Sequence, residues 1–117
     1  MAAAHYRLDN LVCIVDRNGL QISGPTREVM NTEPLSLRWQ AFGWQTFEID
    51  GHDISSIKET LLNLPQNGKP ILIIANTVKG KGVSFMEGNP RWHHRVPTEE
   101  EFQMALNELK SALARLE

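Results

Sequence analysis

The residues of this chain able to do chemistry fall into three short stretches. The first is VDRNGLQISG, residues 15–24, where an apolar run stops at a polar cluster and then resumes. The side-chain oxygen of Asn18 and the backbone carbonyls of Gly19 and Leu20 are hard donors of the kind Mg²⁺ takes, alongside a carboxylate and phosphate oxygens. Asn-Gly is also among the commonest turn dipeptides, so a plain turn accounts for the same residues. The second stretch is TVKGKG, residues 77–82, whose Lys79 and Lys81 sit beside glycines and could approach an anion. It is not a P-loop, because no Ser or Thr directly follows a Gly-Lys pair. The third is PRWHHRVP, residues 90–97. His93 or His94 could move a proton or contact a phosphate. Adjacent side chains diverge on an extended chain, so at most one of the two is expected in a given site. Two histidines without further ligands nearby do not make a zinc site. His52, in DGHD, is expected in a turn beside a helix N-cap.

The elements that must position these groups alternate along the chain. Residues 2–4 are alanines and favour helix. Residues 11–16, rich in Val and Ile, predict a strand buried on both faces, with Cys13 as a small core residue. Residues 18–32, with Gly19, Gly24 and Pro25, predict mostly loop. A helix is expected over about 33–42, with Pro34 in its first turn and Gly43 after its end. Residues 44–49 predict a second strand. Asp53 predicts the N-cap of a helix bearing Ile54, Ile57 and Leu61 on one face and continuing to Leu64. Residues 71–75, ILIIA, predict a fully apolar third strand, and 79–97 a long loop. Thr98 and Glu101 form a capping-box pattern, with Phe102, Ala105, Leu106, Leu109, Leu113 and Leu116 following at helical spacing. The fold class is therefore α/β: a three-layer, mainly parallel sheet with flanking helices, narrow at three strands. In such sheets ligands sit beyond the carboxyl ends of the strands, where the loops 16–24, 50–53 and 77–97 leave.

Composition sets outer limits. The chain has 117 residues, 41% hydrophobic and 22% charged, within the range of one globular domain. Its net charge of −2 argues against a general nucleic-acid binder. No apolar stretch approaches the roughly 20 residues of a membrane span. A single cysteine forms no disulfide within one chain, which suits a reducing compartment.

Taken together, LDNLVCIVDRNGLQISGPT, WQAFGW, EIDGHD, ANTVKGKGVSFMEGNPRWHHRVP and the closing acidic-start helix resemble the transketolases, most closely the N-terminal section or subunit of the split bacterial type. The resemblance spans essentially the whole chain. It implies a partial thiamine-diphosphate-binding fold, with residues 1–117 as the second half of that domain. It implies an enzyme that uses thiamine diphosphate and Mg²⁺ to move a two-carbon ketol unit between sugar phosphates, in the pentose phosphate pathway and the cytoplasm. Residue by residue, the resemblance makes Asn18 a metal ligand through its side chain and Leu20 one through its backbone carbonyl. Ile22 would pack against the cofactor. His93 resembles the histidine of the family's W-H-G, beside the cofactor diphosphate and the reacting substrate, which makes it the candidate catalytic residue. Residues 79–82 match the family's K-G-K-G. At His94 the family favours glycine.

The family's metal motif opens with G-D-G and closes at the asparagine matching Asn18, yet no glycine precedes Gly19. The resemblance thus implies that the charged metal ligand, the family's earlier histidines and the pyrimidine-binding domain lie outside these residues. The expected partners are the remaining transketolase segments or subunit. The chain alone is expected to bind neither cofactor, to lack catalysis, and to self-associate through an uncovered sheet edge. The alternatives are a non-catalytic remnant or scaffold of the same fold, or part of a related thiamine-diphosphate synthase.

Overall fold

The computed structural model describes residues 1–116. The chain divides into two compact units, one of Met1–Arg17 with Met30–Thr77, the other of Asn18–Val29 with Val78 onward.

The first unit is a parallel sheet of three strands: β1 (Val12–Arg17), β4 (Gln45–Asp50) and β5 (Ile71–Asn76), in the order β1-β5-β4. Every residue from Val12 to Arg17 pairs in register with Ile71 to Asn76, and β4 pairs along the same six positions of β5. A strand with neighbours on both edges and cover on both faces is apolar along its buried length, and ILIIA, residues 71–75, meets that demand before the strand ends at Asn76. Residues Ile71, Leu72, Ile73 and Ile74 are each at most 1% exposed, so the core sits on β5.

β1 departs from expectation. Its side chains alternate exposed and half-buried, Ile14 is 57% exposed, and Cys13 is half-buried rather than a core residue. β1 is an edge strand: β5 occupies one side, and no other strand among the described residues pairs with its outer side. A short run rich in Val and Ile reads the same at the centre or at the edge of a parallel sheet.

The helices of this unit are short. α1 (Ala2–His5) precedes the sheet, α3 (Leu35–Ala41) begins after Pro34, and α4 (Ile54–Leu62) follows Asp53, whose carboxylate accepts the Ser55 N–H at 2.9 Å. The cap stands where expected, but the apolar face does not close: Ile54 is 75% exposed and Leu64 lies beyond the helix. His52 sits in the turn before that cap, its N–H donating to Asp50 Oδ1 at 2.8 Å. At the carboxyl end of the sheet Arg17 donates through Nε to Glu33 Oε1 at 2.7 Å and through a terminal nitrogen to Asn76 Oδ1 at 2.9 Å. No helix among the described residues is long and apolar enough to cross a membrane.

The second unit holds the segments expected as loops. Residues 18–29 carry two short strands, β2 (Leu20–Gln21) and β3 (Gly24–Pro25), paired antiparallel, and the helical turn α2 (Thr26–Val29). Two-residue strands carry too little periodicity to be read from sequence. The long loop contains a 3-10 turn over Pro90–His93. It ends at α5 (Glu99–Leu113), which has the full capping box of Thr98 and Glu101. Ala105 is buried in α5, whereas Phe102, Leu109 and Leu113 of its expected apolar face are about half exposed, and Leu116 lies beyond the helix.

Candidate functional site

Asn18 leaves the end of β1 and immediately folds back on itself. Its Oδ1 accepts the Leu20 N–H at 2.9 Å, the Asx turn that asparagine makes with the backbone two residues on. Gly19 between them has φ +71°, the left-handed region open to glycine. The turn continues into β2, and Ile22 and Ser23 link β2 to β3. Ile22 has φ +33°, a conformation that a β-branched side chain adopts only under strain, and it is 58% exposed. Short hairpin turns ordinarily place Gly, Asn or Asp at such positions. Holding an exposed isoleucine in this conformation costs stability on the order of 1–3 kcal/mol.

The second wall comes from the long loop. The Lys79 carbonyl accepts the Gly88 N–H at 2.9 Å, which closes residues 79–88 into a compact loop. Gly80 makes this possible for two independent reasons. Its φ is +74°, and an added Cβ would lie 2.7 Å from the Met86 carbonyl oxygen. Gly80→Ala is therefore expected to destabilise the chain by at least about 1–2 kcal/mol from the left-handed backbone alone, with the clash added. The measurement is hydrogen exchange over residues 79–88, which should speed up. Lys81 instead pairs with Glu87 at 3.7 Å, and Glu87 also accepts the Gly82 N–H at 3.0 Å.

Further along, Asn89 caps the 3-10 turn by accepting the Arg91 N–H at 3.0 Å, with Pro90 next in line. Trp92 donates its indole N–H to the Phe85 carbonyl at 3.2 Å, and the Arg95 guanidinium lies 4.6 Å over its ring. The histidines do not diverge as an extended chain would make them. Because the backbone turns, the rings of His93 and His94 meet edge-to-face with centroids 4.3 Å apart.

These elements enclose a cleft of about 250 Å³ lined by Asn18, Leu20, Gln21, Ile22, Lys79, Pro90 and His93. All four residues singled out in the sequence, Asn18, Leu20, Ile22 and His93, line it together. Lys79 lines it too, and Lys81 and His94 do not. Gln21 and Pro90 were not among the expected site residues; Gln21's signal was a polar residue between two apolar ones, and Pro90's was the Asn-Pro step that opens the 3-10 turn.

The loop is pinned to α5 at two places. Glu108 accepts both the Ser84 N–H at 2.6 Å and the Ser84 hydroxyl at 2.7 Å. Glu101 accepts the Thr98 N–H at 2.9 Å and pairs with Arg95. The backbone N–H bond, above all, holds each carboxyl below its ordinary pKa: that of Thr98 for Glu101 and that of Ser84 for Glu108. A carboxylate whose pKa is lowered on folding stabilises the fold above its unfolded pKa, and that contribution fades as pH falls through the folded value. The thermal midpoint is therefore expected to drop as pH falls below about 4.3, the ordinary glutamate value, and Glu108→Gln should flatten part of that slope.

The donor set decides what the cleft can hold. Lys79 is its one cationic side chain, with His93, the two amides and no carboxylate among the lining residues. This suits the anionic end of a diphosphate. For a hard cation the lining supplies neutral oxygens only, and Mg²⁺ ordinarily demands one or two carboxylates besides phosphate. Among the described residues no group of three or more His, Cys, Asp or Glu could hold a metal ion. The residues fit the diphosphate and part of the metal's surroundings, and do not by themselves make a Mg²⁺ site.

Comparison with known proteins identifies the family. The transketolase, thiamine diphosphate binding domain family matches residues 1–111. The chain belongs to the transketolase family. It is 50% identical over 110 residues to an apulose-4-phosphate transketolase subunit of Actinobacillus succinogenes, covering 94% of this chain and 40% of that protein. It is 49% identical to the protein of the same name from Phocaeicola vulgatus, covering 100% of this chain and 42% of that one. The chain thus spans about two fifths of the length of these curated relatives. The crystal structure of transketolase from Campylobacter jejuni superposes with a TM-score of 0.83 at 31% identity, over 93% of this chain and 17% of that one. The parallel α/β architecture is that of the transketolases.

Proposed function

We propose that residues 1–117 form the part of a transketolase thiamine-diphosphate-binding domain that follows the G-D-G segment. The complete enzyme would transfer a two-carbon ketol unit between sugar phosphates. The observation that carries this reading is that Asn18, Leu20 and Ile22, from one short stretch, line one cleft together with Lys79 and His93, which lie far along the chain. The names of the Actinobacillus and Phocaeicola relatives, which specify a sugar phosphate, support the substrate class. The G-D-G aspartate and the pyrimidine-binding part come from the remainder of the enzyme, on this polypeptide or on another.

When bound, thiamine diphosphate supplies carbanion chemistry that no side chain offers. The chain's own residues hold and orient. Asn18 through its amide oxygen and Leu20 through its carbonyl provide neutral ligands toward Mg²⁺. Ile22 presents apolar surface to the cofactor. Lys79 offsets diphosphate charge. His93 accepts a proton from the substrate or donates one to it.

Calorimetric titration tests the reading. The chain alone is expected to show no saturation by micromolar thiamine diphosphate with Mg²⁺, because neutral donors recruit that ion weakly. Addition of the G-D-G-bearing segment and the pyrimidine-binding part should produce metal-dependent saturation and ketol transfer. Saturation by the chain alone, or none after addition, would sink it. Self-association belongs to the same reading: the outer edge of β1 and the half-exposed Ile14 offer a pairing surface. Light scattering is expected to show species larger than a monomer.

A further inference from the structure

We infer that His94 is a positioning residue that clamps the His93 imidazole in the orientation from which it lines the cleft. The inference rests on the reading of His93 as the group that meets the substrate.

His93 is exposed, and an exposed side chain with no contact hops between rotamers on a picosecond to nanosecond scale. Its ring nevertheless has a defined partner. The His94 ring meets it at 77° with centroids 4.3 Å apart, the edge-to-face arrangement that aromatic pairs favour. His93 lines the cleft and His94 does not, so any influence of His94 on the site passes through its neighbour.

The pair is held from both sides. Before it, Trp92 is fixed by its bond to the Phe85 carbonyl and by ring contact with Phe85, centroids 5.6 Å apart. After it, Arg95 lies over Trp92 and pairs with Glu101 at the capping box of α5. Trp92 and Arg95 therefore fix the backbone that carries both rings. His94 itself has φ −125°, so the backbone there has no need of glycine. A ring at this position adds a contact without straining the chain, and the contact falls on the one imidazole that lines the cleft.

The test uses the full chain and the assembled enzyme, with His94→Gly and His94→Phe. In proton–carbon spectra of the histidine rings, the full chain should show a cross-ring nuclear Overhauser effect between His93 and His94 and ring-current displacement of the His93 C–H signals. Both should vanish in His94→Gly, and the displacement should persist in His94→Phe, which keeps an aromatic ring. In the assembled enzyme, His94→Gly should lower kcat by about two- to tenfold, the effect of one aromatic pair, with KM for the sugar phosphate nearly unchanged. His94→Phe should restore most of that loss. Unchanged His93 signals in His94→Gly would overturn the clamp. So would a raised KM at constant kcat, which would mean that His94 touches substrate itself. Should His93→Ala leave activity intact, the reading of the cleft fails. Should the ring contact be missing while His93→Ala abolishes activity, only the clamp fails.

Discussion

On the proposed reading, His93→Ala in the assembled enzyme is expected to lower kcat/KM by about 10²- to 10⁴-fold, the range of a positioned proton-transfer group. The expectation follows from where the imidazole stands. It shares a cleft with Lys79 and Asn18, and the 3-10 turn that carries it is capped by Asn89 and anchored through Trp92. Lys81→Ala is the control. Lys81 belongs to the K-G-K-G motif as much as Lys79 does, but it is exposed, pairs with Glu87 and does not line the cleft. An exposed ion pair contributes at most about 1 kcal/mol, so this variant should leave steady-state rates within about fivefold. Steady-state kinetics on the two variants reads both outcomes. Equal losses would mean that the loop as a whole, and not the cleft, carries the function.

The asymmetry between Lys79 and Lys81 shows where sequence reading stops. The motif names both lysines, and only the backbone decides between them. Gly80, at positive φ and pressed against Met86, turns the chain so that Lys79 lines the cleft and Lys81 is left beside Glu87. The features legible in advance were those set by local chemistry. The capping box at Thr98 and Glu101, the Asp53 cap and the apolar run of β5 each follow from a few adjacent residues. The features missed depend on partners distant in sequence. Whether β1 is central or an edge depends on which strand lies beside it, and its own composition does not say. The contact between His93 and His94 depends on a 3-10 turn whose signal, Asn89 followed by Pro90, is short and easily taken for loop. The positive φ of Ile22 runs against its residue type, which is why strain of this kind points to a site more often than to a fold rule.

Ile73→Ala is expected to remove about 2–5 kcal/mol of stability, the usual cost of truncating a fully buried isoleucine and leaving a cavity. Ile73 is 1% exposed and stands in register between Ile14 of β1 and Phe47 of β4, so truncating it opens a cavity at the centre of the sheet. Domains are marginally stable, by about 5–15 kcal/mol, so a loss of this size takes much of the total. Ile14→Ala, chemically the same change one strand away, should cost under about 1 kcal/mol, because more than half of that side chain already meets water. Urea titration at constant m separates the two through their midpoints. Equal shifts would place the core at the sheet edge rather than on β5.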